Sequence, residues 1–216
     1  MKKVYGLLLV LVMLVAVENV NAQLNPGVDI YSSYVWRGTK FGTGPAIQPY
    51  LDYTKSGFSV GAWGSVCTST DEAYEMDLYA KYALPFGLTI GVNDYYFGSS
   101  DSSGFYVGDY FKGTSHFIEP TLNYTIGGFS ILGAYMIGNG VGDAYVEAGY
   151  GFGNVSLFVG AGNGQYTSDG GFNVCNVGIK STESIKLTEN FSLPINGAVI
   201  LNPSTQAFHI VVGISL

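Results

Sequence analysis

The side chains of this sequence that could do chemistry are few and mostly acidic. Glu75, Asp77 and Lys81 stand two and four positions apart, and Asp29, Asp52, Glu119 and Glu147 recur in similar alternating stretches. Spacing by two puts charged groups on one side of an extended strand, not on one face of a helix. A strand face lined with carboxylates favours cations or neutral polar solutes over anions. Arg37 is the single arginine in 216 residues. An arginine among acids is costly to bury alone, so a carboxylate partner is expected for it.

Other constellations are weaker. Gly57-Phe58-Ser59-Val60-Gly61 matches the G-x-S-x-G pentapeptide, but a nucleophile elbow needs a strand, a sharp turn and then a helix. Ser59 instead opens a strand after a hairpin turn, so the match is accidental. His116 and His209 stand at no spacing that pairs them with a serine or an acid. The Gly149, Gly151 and Gly153 run is a turn between strands with no helix after it, so it cradles no phosphate. Cys and His form no metal-ligand spacing. Cys67 and Cys175 fall near the outer ends of distant strands, and a disulfide would need a loop folded across the mouth. Two separate thiols are the simpler reading. These observations assign no catalytic residue, no metal and no cofactor, and the chain is not expected to be an enzyme.

The elements that position the acids are β-hairpins. Ile47 to Val60 reads as a strand, a Gly-containing turn and a second strand, and it returns 71 positions later as Ile118 to Ile131. Ile47, Leu51 and Tyr53 face one way, and Gln48, Tyr50 and Asp52 the other. After the repeat the second copy carries one extra residue, since Gly61-Ala62-Trp63 aligns with Gly133-Ala134-Tyr135. An inserted residue flips the facing of every later residue in its strand unless a bulge absorbs it, and a bulge is expected near Leu132.

Twelve such strands can be traced. The first covers Gly27 to Arg37, with Val28, Ile30, Tyr34 and Trp36 on one side and Asp29, Tyr31, Ser33 and Arg37 on the other. The fourth puts Glu75, Asp77, Tyr79 and Lys81 on its polar side. The longest loop covers 98–114, where Phe105, Tyr106, Tyr110 and Phe111 stand among polar residues as candidate loop contacts. Strand ten ends at Ser181, and 182–189 is read as a turn that could include a helical turn. Connections alternate between short and mostly longer. An even number of strands near ten residues each, with short turns at one end, fits a closed transmembrane barrel with both termini periplasmic.

Composition agrees. Only 12% of residues are charged, against 31 glycines, 17 tyrosines and 13 phenylalanines. Low charge with many aromatics suits a barrel whose outside meets lipid and whose rims carry aromatic girdles. A secreted β-sandwich is the weaker alternative, because the polar faces carry more charge than a tight core tolerates. Residues 1–22 read as a cleaved signal peptide, with basic Lys2-Lys3, an apolar run from Val4 and a cut after Ala22. Residues 23–216 form the single barrel domain. The net charge of −7 excludes a basic nucleic-acid footprint.

At Ser33-Tyr34-Val35-Trp36-Arg37-Gly38 the sequence resembles the Gcw_chp family of uncharacterised Gram-negative outer-membrane barrels. Leu201-Asn202-Pro203 and the ending Val212-Gly213-Ile214-Ser215-Leu216 are similar to that family as well. The resemblance implies an outer-membrane barrel and supplies no catalytic residues. The expectation is an all-β, up-and-down antiparallel barrel of about 12 strands in the bacterial outer membrane. Its partner is outer-membrane lipid, with other outer-membrane proteins as further candidates. Asp29, Arg37, Asp52, Glu75, Asp77, Lys81, Glu119 and Glu147 are the candidate lumen-lining residues. Two functions stay open: a narrow passive channel weakly preferring cations or small polar solutes, or a plugged barrel acting as a structural, assembly or surface-binding subunit through its loops.

Overall fold

In the computed structural model, residues 23–69, 74–101, 104–106, 110–111, 115–138 and 141–216 are described. The leader read over residues 1–22 lies outside them. Twelve long antiparallel strands form the wall. They are β1 (Gln23–Tyr31), β4 (Ala46–Lys55), β5 (Phe58–Cys67), β6 (Tyr74–Ala83), β7 (Leu88–Asp101), β9 (His116–Ile126), β10 (Phe129–Gly138), β11 (Val141–Phe152), β12 (Val155–Gly162), β13 (Asn173–Lys186), β14 (Ser192–Asn202) and β15 (Ala207–Ser215). Three short strands lie in loops: β2 (Tyr34–Trp36), β3 (Thr39–Phe41) and β8 (Gly104–Tyr106). Wall strands pair in chain order, and β1 pairs with both β4 and β15. That last pairing closes the sheet, so no wall strand keeps an open edge.

The two-residue period sets which side chains meet the interior. On β4, Ala46 and Gln48 are buried while Ile47, Pro49 and Leu51 are exposed. The outward set is mostly apolar, including Leu78, Ile90, Leu122, Ile131 and Ile210, with Asp94 and His116 paired on the same side at 2.8 Å. Several inward glycines make room for tyrosines reaching in from neighbouring strands. A Cβ on Gly61 would fall 2.4 Å from the Tyr79 hydroxyl, and one on Gly27 would fall 2.3 Å from the Tyr50 ring. That cross-strand packing accounts for part of the unusual glycine and tyrosine content.

Four features differ from the sequence reading. The first wall strand stops at Tyr31 rather than running to Arg37, because Ser32 and Ser33 bend the chain. The residues beyond form the β2–β3 hairpin, a two-stranded sheet separate from the wall. No bulge occurs near Leu132. The β9–β10 and β10–β11 registers run without a shift, so the inserted residue flips the facing instead. Ala134 is buried and Tyr135 exposed, whereas Trp63 of the first copy points inward. The observed register shift lies between β12 and β13 at Gly160 and Ala161, where Cys175 is the extra residue. Finally, 182–186 continues β13 to Lys186 and forms no helix, since Thr182 to Lys186 pair in register with Ser192 to Asn196.

Candidate functional site

The site sits where the β2–β3 hairpin crosses the barrel interior. Its two-residue tip, Arg37-Gly38, has φ of 50° and 81°. Positive φ at both central residues is the type I′ geometry that matches strand twist. For Arg37 the left-handed conformation costs about 1 kcal/mol or somewhat more. At Gly38 the conformation and the space both demand glycine. A Cβ there would fall 2.0 Å from the Cys175 carbonyl oxygen.

Aromatic rings carry the hairpin into the interior. Tyr34 stacks on Phe41 at 5.2 Å and meets Trp63 of β5 at 5.5 Å. Trp36 meets Tyr95 of β7 and Tyr166 of the β12–β13 loop, each at 5.6 Å. Phe41 faces Phe97 of β7 at 6.5 Å. Such pairs contribute about 0.5–1.5 kcal/mol each beyond the area they bury. The Asn202 side chain anchors the tip, donating to the Gly38 carbonyl at 3.4 Å and to the Tyr166 carbonyl at 3.3 Å.

Arg37 is the centre of the arrangement. Its guanidinium donates to both oxygens of Glu119, at 2.5 and 3.0 Å, and to the Tyr166 hydroxyl at 2.7 Å. Its carbon lies 4.4 Å from the Trp36 ring centre and 4.3 Å from that of Tyr145. Burial works against the charge of Arg37. The hydrogen bonds and charge of Glu119 more than reverse that effect and hold its pKa above the usual arginine value. Glu119 is fully buried. It also accepts from the Tyr95 hydroxyl at 2.8 Å and from the Asn93 amide at 3.5 Å. Burial pushes the Tyr166 hydroxyl up to about 12, so it stays a neutral donor and acceptor at physiological pH.

The remaining lumen-lining candidates all lie on the inward face. Glu75 hydrogen-bonds the Tyr34 hydroxyl, which burial and the Glu75 charge hold well above the usual phenol range. Asp77 is buried two residues away. Asp52 accepts from the Tyr79 hydroxyl, and the Lys81 ammonium lies 5.5 Å from the Tyr79 ring. Glu147 accepts from Tyr145 at 2.5 Å and from Asn176 at 2.8 Å. Asp29 stands on β1 between Gln48 and Ser215. Arg37 and Glu119 are thus brought into contact, while Asp52 with Lys81 and Glu75 with Asp77 form separate groups.

Several interior residues escape the sequence reading. Asp143, Tyr145 and Asn176 follow the same alternation as the candidate acids, and Lys180 belongs to this group as well. Their parity is the signal that could have found them. Tyr166, on a single 3-10 turn (Gly164–Tyr166) between β12 and β13, has no periodic signal. Of the loop candidates, Phe105 and Tyr106 belong to β8, which pairs back on β7. The Tyr110 ring folds onto Tyr96 and His116 on the outer side of the wall, and Phe111 is 99% exposed. Cys67 and Cys175 are not joined in a disulfide, and the hairpin covers each, Cys67 beside the Phe41 carbonyl and Cys175 beneath Gly38.

Space remains between the hairpin and the short-turn end. A cavity of about 180 Å³ lies against Val35 and Arg37 and is lined by Glu147, Asn176, Lys180 and Ala198. A second, of about 300 Å³, shares Lys180 and Ala198 with it and continues along Thr182 and Asn196. A third, of about 270 Å³, is lined by Gln23, Asn25, Asp52, Thr54 and Lys81.

The family described as a bacterial protein of unknown function (Gcw_chp) matches residues 18–182. No curated protein sequence matches the chain. Among solved structures it is similar to OccK5 (OpdH) of Pseudomonas aeruginosa, with a TM-score of 0.41, 11% identity, and coverage of 91% of this chain and 67% of that one. It is also similar to the outer membrane phospholipase (OMPLA) of Salmonella typhi, with a TM-score of 0.41, 12% identity, and coverage of 88% and 87%. A mutant porin of Rh. blastica aligns with a TM-score of 0.37 and 12% identity over 90% of this chain and 99% of that chain. The likeness to these proteins is one of fold.

Proposed function

The chain belongs to the Gcw_chp family of bacterial proteins, and for this member we propose a narrow passive channel through the bacterial outer membrane, constricted by its own first loop. In this reading the leader at 1–22 directs export. The short turns and both chain ends face the periplasm, and the outward apolar belt contacts lipid.

One observation carries the reading. Two cavities, one against Arg37 and one reaching Thr182 and Asn196, adjoin at Lys180 and Ala198. Above them stand the hairpin and the residues that hold it. Barrels of about eight strands are filled by side chains, and those of sixteen leave a channel. Twelve strands leave room that a wall alone does not fill, and here the hairpin takes up the excess at one level only. Acids outnumber bases on the inner face, which favours cations or neutral polar solutes. The ring contacts, the Arg37 pair and Asn202 keep the constriction narrow.

Single-channel recording in a planar bilayer tests this. Purified, folded protein in a KCl gradient should give small, steady openings with weak cation preference. Replacing 34–41 with a short Gly-Ser linker should raise the conductance severalfold. Silence from inserted protein, both with and without the hairpin, would sink the channel reading and leave a plugged barrel.

A further inference from the structure

Of the groups around the Arg37 guanidinium, Trp36 belongs to the hairpin, while Glu119, Tyr145 and Tyr166 lie outside it and keep bonds of their own. Glu119 keeps Tyr95 and Asn93 as partners of its own. Tyr145 is fixed by Glu147 and by Asn176, which donates to its hydroxyl at 3.0 Å. The turn that carries Tyr166 is tied down three times over. Ala144 N–H donates to Asn163 at 2.6 Å, Gly164 N–H to the Gly170 carbonyl at 3.0 Å, and Gln165 N–H to Asp143 at 3.2 Å. None of these bonds involves the hairpin.

The occupant is held differently. The β2–β3 sheet shares no ladder with the wall. Arg37 itself sits in the left-handed region that ordinary side chains avoid. A strained, tethered side chain therefore fills a receptacle in which Glu119, Tyr145 and Tyr166 are each positioned by partners outside the hairpin. Backbone strain of this kind persists where the surroundings over-determine it, and it clusters at ligand clamps and switches.

We propose that this receptacle is a recognition site for solutes bearing a guanidinium group, and that such solutes displace Arg37 and release the hairpin from the lumen. The proposal rests on the channel reading and adds a substrate class to it. Glu119 presents two oxygens to the guanidinium, Tyr166 adds a third, and the Tyr145 ring centre lies 4.3 Å from the guanidinium carbon. That combination matches a planar, delocalised cation with several in-plane donors. A primary ammonium is a compact, strongly hydrated charge and cannot engage both carboxylate oxygens while stacking on a ring. Tethering gives Arg37 an effective concentration of about millimolar or higher, so a free solute competes only weakly. Weak occupancy suits passage, since a solute must also leave.

The chain has two tryptophans, Trp36 on the hairpin and Trp63 on the wall. A Trp63→Phe variant leaves Trp36 as sole reporter of hairpin position. Its fluorescence, in protein reconstituted in vesicles, is followed while arginine methyl ester is titrated, with lysine methyl ester and KCl as controls. A saturable change for the arginine ester is expected, at a concentration about tenfold or more below that needed with the lysine ester. Arg37→Lys should lower the half-point for the arginine ester severalfold, because the competitor is weaker and the wall is intact. Equal responses to both esters, or an unchanged half-point in Arg37→Lys, would show a structural latch and overturn the proposal. KCl conductance of the same vesicle protein separates the two claims. Conduction without a Trp36 response removes the guanidinium site alone, and a Trp36 response without conduction removes the channel reading alone.

Discussion

Arg37 and Glu119 meet through two hydrogen bonds of 2.5 and 3.0 Å across 82 positions of sequence. The arginine stands at the tip of a loop hairpin and the glutamate on the far wall, so the pair spans the barrel interior. Both side chains are almost wholly withdrawn from solvent. Removing one partner of a buried pair leaves an uncompensated charge, at a cost of about 3–5 kcal/mol if the other stays buried.

Glu119→Gln should therefore drive the hairpin out rather than leave Arg37 stranded. The expected outcome is a higher single-channel conductance with only a modest loss of stability, about 1–3 kcal/mol in urea unfolding from detergent. Unchanged conductance together with a stability loss at the upper end of the buried-pair range would mean the hairpin cannot leave the lumen.

Gly38→Ala acts on the same hinge from the opposite wall. The new Cβ would meet the Cys175 carbonyl oxygen at 2.0 Å, and backbone on both sides leaves no flexible end to yield. The added left-handed strain is about 1–2 kcal/mol. The tip should lift from β13, and conductance should rise in this variant while the far-ultraviolet signature of the barrel is kept. A variant with wild-type conductance would show that the tip does not set the constriction.

The thiols report the same movement chemically. Cys175 is fully buried under Gly38, and Cys67 lies 3.7 Å from the Phe41 carbonyl oxygen at the other end of the hairpin. Folded wild-type protein should resist maleimide at both positions. Gly38→Ala should expose Cys175 first, and deletion of 34–41 should expose both. Mass spectrometry counts the adducts. Rapid double labelling of the wild type would mean that the hairpin is already open in solution.

The wall is legible in the sequence because its signal is local. A two-residue period places Asp52, Glu75, Asp77, Glu119 and Glu147 on the inward face, and all five are there. The hairpin is not legible for the same reason. Tyr34 and Trp36 continue the alternation of Val28 and Ile30, so periodicity extends the strand through Ser32 and Ser33, where the chain in fact bends. The partners of Arg37 are 82 and 129 positions away. Charge logic demands a carboxylate for Arg37 but cannot choose among several. The extra residue beside Leu132 is visible in the sequence, yet its consequence depends on pairing. With both neighbouring registers unbroken, the facing flips and no bulge forms.

Lumen charge gives the last test, and it separates position from sign. Lys180 lines both of the adjoining cavities below Arg37. Lys186 ends the same strand and lines neither of these cavities. Exposed charges are screened over about 8 Å at physiological salt, whereas charges in a confined space with low-dielectric walls are screened far less. Lys180→Glu should thus raise the cation-to-anion permeability ratio severalfold, while Lys186→Glu, with the same change in net charge, should move it little. Asp52→Asn should lower the ratio, because the third cavity then keeps Lys81 without its acid. Reversal potentials in a tenfold KCl gradient measure all three. Equal shifts for Lys180→Glu and Lys186→Glu would mean that ions do not pass beside Lys180, and the route would have to lie elsewhere in the barrel.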